Sequence, residues 1–248
     1  MTGTGPLPHT GSEPRDESGS SRSRGVALFL RDILIIFVAA IIISLGIKTF
    51  LVRSFYIPSG SMMNTLQVND RIIVNQLEPR FIPIERGDVV VFRDPGGWLP
   101  PQYETPVNPV LGALDWFLTT VGLSASDDGD HLIKRVIGLP GDTVECCDEN
   151  GRMEVDGTPL DEPYTVLAEG ESKASGDDFS VVVPEGSLWV MGDNRYNSLD
   201  SRYNQDTSSK GFVPIDDVVG RAVVITWPFD RWSFLDDYPN TFRGVDDE

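Results

Sequence analysis

The chain has 248 residues, 38 acidic and 20 basic side chains, and a formal charge of −18. That balance argues against nucleic acid as a partner, because neutralising phosphates takes clustered Lys and Arg, and no basic stripe follows Arg53. Adjacent Cys146 and Cys147 with only His9 and His131 cannot make a zinc set, so no metal or cofactor is expected, and the length suits one sizeable domain plus an anchor.

Residues 1–25 are Gly, Ser, Thr, Pro and charge, a composition that buries too little to offset ordering, and they read as a disordered tail. From Ile33 to Ile47 no charged residue occurs. As a helix this stretch covers about 22 Å, short of a ~30 Å hydrocarbon core, and extension through Thr49, Phe50 and Leu51 to Val52 brings it to about 30 Å. Lys48 lies near enough to the end to snorkel outwards. Residues 26–52 therefore read as a membrane-spanning signal anchor. A cleaved signal peptide is disfavoured by the long polar stretch ahead of the apolar run and by the lack of a small-x-small site after Ile47. Arg15, Arg22, Arg24 and Arg31 precede the span, and Lys48 and Arg53 follow it. The bias puts the N-terminus in the cytoplasm and the large domain outside.

Past Val52 the periodicity changes to short β-branched runs: Arg71–Val74, Asp88–Phe92, Leu132–Ile137, Met153–Val155, Ser180–Val183, Leu188–Met191 and Ala222–Trp227. Turn signals such as Pro83, Gly87-Asp88 and Pro140-Gly141-Asp142 separate them, and Asp156-Gly157 suggests a tight hairpin. The expected class is mainly β over residues 53–243, with a Pro/Gly-rich insert at about 94–130 and an acidic tail at 244–248. Pro109–Leu123 in the insert is a candidate short helix. A disulfide between the neighbours Cys146 and Cys147 would close a strained ring, and their redox state stays open.

Three stretches carry chemistry. Ile57-Pro58-Ser59-Gly60-Ser61-Met62-Met63 sets a serine on a Gly-flanked turn, Ile133–Asp142 sets Lys134 in an apolar run, and Gly192–Arg202 is a polar turn with a second serine, Ser198. A serine hydroxyl needs a base to become a nucleophile, and with His9 in the tail a histidine triad has little to draw on. Lysine serves only when neutral, which at pH 7 costs about 4.6 kcal/mol from its reference pKa. Burial removes much of that penalty. Strand alternation sends Lys134 to one face and Arg135 to the other.

In this order the three motifs resemble bacterial type I signal peptidase, a membrane-bound Ser-Lys serine endopeptidase, from the apolar span to about Trp227. The resemblance implies a signal-peptidase-like β-sheet domain with one N-terminal transmembrane helix in the cell membrane. It implies Ser61 as nucleophile, Lys134 as general base, and an oxyanion hole from the Ser59 hydroxyl and the Ser61 N–H. Ser198 would hydrogen-bond and orient the lysine. Asp193, Arg195, Asp200, Arg202 and Arg135 would supply a supporting frame, with Asp200 and Arg202 on one face if extended. Tyr196 stands where many members carry an acidic residue. Cleavage after small residues at −1 and −3 would use shallow pockets at Phe55, Ile57, Pro58, Met62, Leu66 and Ile133. Preprotein signal peptides and the lipid bilayer are the implied partners, with secretion machinery a further one.

Three other readings are weaker. A self-cleaving repressor would need a DNA-binding domain. An inactive membrane-tethered β-rich binding protein fits poorly with Ser61, Lys134 and Ser198 all present. A histidine-based signal peptidase would need His131 at the position Lys134 occupies.

Overall fold

A computed structural model describes residues 18–100 and 130–245, with side chains from Leu28 except at 47–50. Helix α1 spans Ser18–Phe50. Within it Leu28–Gly46 has mean hydropathy 2.6, long and apolar enough to cross a bilayer. Large apolar side chains such as Phe29, Leu34, Ile36, Phe37 and Ile42 are exposed along it. The helix differs from expectation at both ends. Residues 18–25, read as disordered tail, are its first turns, because a helix nucleated in the apolar run adds one hydrogen bond for each further residue. It stops at Phe50 rather than Val52, because Val52 already pairs in a sheet.

The chain divides after Ser44 into two compact units, and the second holds every strand. Its strands are β1 (Val52–Tyr56), β2 (Arg71–Asn75), β3 (Val89–Arg93), β4 (His131–Gly138), β5 (Thr143–Cys146) and β6 (Met153–Val155). There follow β7 (Thr158–Pro159), β8 (Phe179–Val182), β9 (Ser187–Met191), β10 (Val213–Pro214), β11 (Val218–Trp227) and β12 (Ser233–Phe234). One sheet runs β1-β2-β11-β3-β4-β9-β10 with β12 added on β11, and a smaller one runs β7-β6-β5-β8. All the strand pairs are antiparallel. The mainly β class and most expected strands are present. The hairpin at Asp156-Gly157 has φ of 49° and 73°, the left-handed pair that a two-residue type I′ turn requires.

Strand β3 explains why the large sheet carries apolar surface on both faces. Val89 and Val91 enter a cluster with Phe55, Ile57, Met62, Leu66 and Ile133. Val90 and Phe92 enter another with Trp98, Val136, Leu188 and Val190. The β3–β4 register sets Lys134 opposite Val90 and Arg135 opposite Val89, so the neighbours leave the sheet on opposite faces. A third cluster, with Val144, Met153, Val155 and Trp189, also takes in Phe242 and Val245. Residues 244–245, expected in an acidic tail, thus belong to the domain, because Val245 is an apolar side chain with a core to enter. The expected helix at 109–123 lies outside the described residues.

Candidate active site

Ser61 begins a short helical turn. Gly60 O accepts from Met63 N at 3.1 Å, and Met62 O accepts from Leu66 N at 2.8 Å. The loop is closed at its base, where Ile57 N donates to Asp70 O and Asn69 N donates to Ile57 O, each at 2.9 Å. Arg231 clamps it from outside through its ion pair with Asp70. Asn194 ties in the β9 end by donating its N–H to Ser61 O at 3.1 Å. Gly192 makes that approach possible: a Cβ there would lie 2.5 Å from Ser61 O and 2.3 Å from Ser198 Oγ. Any side chain at 192 would push the Ser61 loop away.

Lys134 reaches this loop from the middle of β4. It is 4 % exposed, and Nζ donates to Ser61 Oγ and to Ile133 O, both at 2.9 Å. Among the described residues no carboxylate forms an ion pair with it. Burial lowers its pKa to about 8, although the more distant charges of Asp200 and Asp193 pull the other way. A neutral amine at this distance can take the Ser61 proton. Ser59, exposed, holds its hydroxyl 3.4 Å from Ser61 Oγ.

Each acidic residue of the expected frame is matched to an arginine. Asp193 binds Arg135 through two bonds of 2.9 and 2.8 Å, with both side chains fully buried. Arg135 also donates to Gly87 O and Asp236 O, and its guanidinium lies 4.1 Å from the Tyr164 ring centroid. Asp200 accepts from Arg202 at 2.9 and 2.8 Å and from Gly192 N at 3.0 Å. Arg195 pairs with Glu162 and donates to Gly192 O. Four of the five frame residues thus lie on the turn that carries Ser198, and Arg135 reaches it from β4.

One expectation needs correction. Ser198 Oγ is buried but forms no hydrogen bond, with Lys134 or otherwise, among the described residues. Lys134 Nζ is aimed at Ser61 and Ile133, while Ser198 Oγ is turned against Gly192. The stretch from Asp200 to Arg202 does not run on as a strand: Asp200, itself extended, caps a 3₁₀ turn, Ser201–Tyr203, and bonds Arg202 within it.

A cleft of about 510 Å³ opens beside Ser61, Lys134 and Ser198. Of the expected substrate-pocket residues, Phe55, Ile57, Met62, Leu66 and Ile133 are gathered into one buried cluster, and Pro58 is exposed. None of the six lines that cleft, which is walled instead by Trp98, Leu99, Pro100, Leu132, Leu199 and Tyr203. Tyr196 also borders it, its hydroxyl donating to Lys173 O at 3.1 Å. Residues missed in the sequence include Thr65, which donates to Asp193, and Glu162, partner of Arg195. Neither has a local signature, since their partners lie 128 and 33 residues away. The neighbours Cys146 and Cys147 are joined by a disulfide.

Comparison with known proteins adds to this geometry. The family model described as "Signal peptidase, peptidase S26" matches residues 30–227. The chain is 40 % identical to a probable signal peptidase I of Mycobacterium leprae, over 75 % of this chain and 72 % of that one. It is 38 % identical to the signal peptidase I of Mycobacterium tuberculosis, over 83 % and 75 %. Signal peptidase I S of Bacillus subtilis is 30 % identical over 78 % and 87 %. A crystal structure of a signal peptidase I from Enterococcus faecalis V583 shares 26 % identity, with TM-score 0.35, over 56 % of this chain and 95 % of that one.

Proposed function

The chain belongs to the signal peptidase family, peptidase S26, and is a serine endopeptidase, and from that premise we propose how its residues do the work. It is anchored in a membrane by α1 and removes signal peptides from preproteins, with Ser61 as nucleophile and Lys134 as general base. The observation that carries this reading is the 2.9 Å contact between Lys134 Nζ and Ser61 Oγ inside a site that keeps the amine dry.

The reaction runs in two steps. Neutral Lys134 takes the Ser61 proton as Oγ attacks the scissile carbonyl carbon. The Ser59 hydroxyl and the Ser61 N–H receive the charge that develops on the carbonyl oxygen. The ammonium of Lys134 then returns the proton to the leaving amine, which gives an ester at Ser61 and a free mature N-terminus. Water, deprotonated by the same lysine, attacks the ester carbonyl; as the bond to Ser61 Oγ breaks, the lysine returns that proton to the serine oxygen and the signal peptide leaves. The cut falls after small residues at −1 and −3, whose methyl-sized side chains suit shallow depressions over the Phe55–Ile133 cluster.

The single-pass chain runs N-terminus in, with the domain outside the cytoplasm, the arginine bias across α1 being the reason. Protease added to intact spheroplasts then digests the domain; full protection reverses the topology. For the chemistry, the detergent-solubilised chain is incubated with a synthetic Ala-x-Ala signal-peptide substrate and the cut is mapped by mass spectrometry. A single cut after the second Ala is expected in the wild type and in His131→Ala. Activity in Lys134→Ala with none in His131→Ala would overturn the assignment.

A further inference from the structure

The cleft beside Ser61 has a wall that proton transfer does not require. After β3, the Asp94 carboxylate accepts backbone N–H groups from Gly96 at 2.9 Å, Trp98 at 3.0 Å and Leu99 at 3.2 Å. Burial pushes that carboxyl up, but the N–H donors outweigh it and hold it below the usual carboxylate range, so the clasp stays charged. Trp98 anchors the turn from within. Its ring stands edge-on to Phe92 at 5.7 Å, and its indole N–H donates to Ser209 Oγ at 3.0 Å. Leu99 and Pro100 are thereby fixed at the cleft rim. From the frame turn come Leu199, 68 % exposed, and Tyr203, 41 % exposed. Apolar surface left wet beside reacting atoms is a mark of a binding site rather than of a core.

We propose that this cleft receives the preprotein side chains at −2 and +1, and that it favours large apolar ones. The inference rests on the reading of Ser61 as the nucleophile. A peptide bound extended across Ser61 alternates its side chains with period two. When −1 and −3 face the buried cluster on the Ile133 side of β4, −2 and +1 face the other side, where Leu132 and Lys134 border the cleft. A volume of about 510 Å³ is far more than a methyl group fills, and it is continuous with Ser61. The Asp94 clasp holds the wall in place before substrate arrives, so little ordering cost falls on binding.

The test uses the full-length chain in detergent and three peptides that differ only at −2 and +1: Ala at both, Phe at −2, and Phe at +1. In the wild type each Phe raises kcat/KM about ten-fold over the all-Ala peptide. Leu199→Asp and Tyr203→Ser each bring those ratios close to one. The ratio is taken within each variant, so a general loss of activity cancels. Wild-type ratios near one, or ratios that survive both substitutions, overturn the proposal while leaving the Ser61 reading intact. Cleavage of the all-Ala peptide that persists in Ser61→Ala sinks both.

Discussion

Lys134 and Arg135 are consecutive cations on β4, both nearly or fully buried, and the two faces of the strand treat them in opposite ways. On one face Arg135 has everything a buried charge needs: a two-bond carboxylate partner, two backbone carbonyls and an aromatic ring. On the other, Lys134 has a hydroxyl and one carbonyl, and no carboxylate in contact among the described residues. The chemistry follows from the difference. Pairing holds the guanidinium charged, since the Asp193 contact outweighs burial and raises its pKa, whereas unpaired burial makes the lysine a base near pH 8. Asp193 and Asp200 are the charges that could undo this, and both are bound to arginines instead. On the proposed reading of Lys134 as base, these arginines keep the two carboxylates out of contact with it.

The sharpest break in that contrast removes the reacting pair. Ser61→Ala and Lys134→Ala should each lower kcat/KM by about 10⁴ or more, and the double variant should be no worse than either single one, because the two act as a unit. Kinetics on the synthetic substrate, with circular dichroism to confirm the fold, decide the point. Additive losses would mean that the two residues work separately.

Next in size is the frame. Arg202→Met leaves Asp200 buried and unmatched, which costs about 3–5 kcal/mol of stability. In the protein that still folds, the unmatched carboxylate pulls a proton onto Lys134 and moves the rising limb of kcat/KM against pH above its wild-type position near 8. Adding Asp200→Asn should return the limb close to that position. A limb that stays put in Arg202→Met would show that the frame only holds the fold.

Ser59→Ala tests the rim. Loss of one oxyanion donor should reduce kcat by about 10²–10³ and leave the pH limb unmoved. A displaced limb would place Ser59 in the proton path.

How much of this was legible in the sequence differs by region. Met153–Val155 with Asp156-Gly157 was readable because two left-handed residues between β-branched runs admit few structures. Val52–Tyr56 was hidden because Val52 continues the apolar run of α1, and composition alone cannot mark where a helix yields to a paired strand. Thr143–Cys146 follows a Pro-Gly-Asp turn with only alternate residues buried, too short a pattern to stand out. The meeting of Lys134 with Ser61 was legible through their motifs. Trp98, Leu99 and Tyr203 were not, because β-sheet topology rather than spacing brings them to one cleft. The missing Ser198–Lys134 bond has the same origin, since Gly192 sets where that hydroxyl can lie.

The smallest expected effect is on stability, and it runs opposite to activity. Lys134 falls from an ordinary 10.5 to about 8 on folding. Below pH 8 both folded and unfolded chains hold the proton, and the full cost of burying it is present. Between 8 and 10.5 the folded chain releases the proton while the unfolded one keeps it, so stability climbs with pH; above 10.5 it levels off. The gap, 10.5 minus 8, corresponds to about 3 kcal/mol at ~1.36 kcal/mol per unit. Lys134→Met keeps the apolar stem and sheds the charge, so it should be inactive yet more stable than wild type at pH 6–7, by up to that amount less the bonds to Ser61 and Ile133. The advantage should shrink as pH approaches 10. Denaturant titrations of both proteins at pH 6.5 and pH 10 measure it. Equal stabilities at pH 6.5 would mean that Lys134 keeps its charge at no cost, and a base so content with its proton could not activate Ser61.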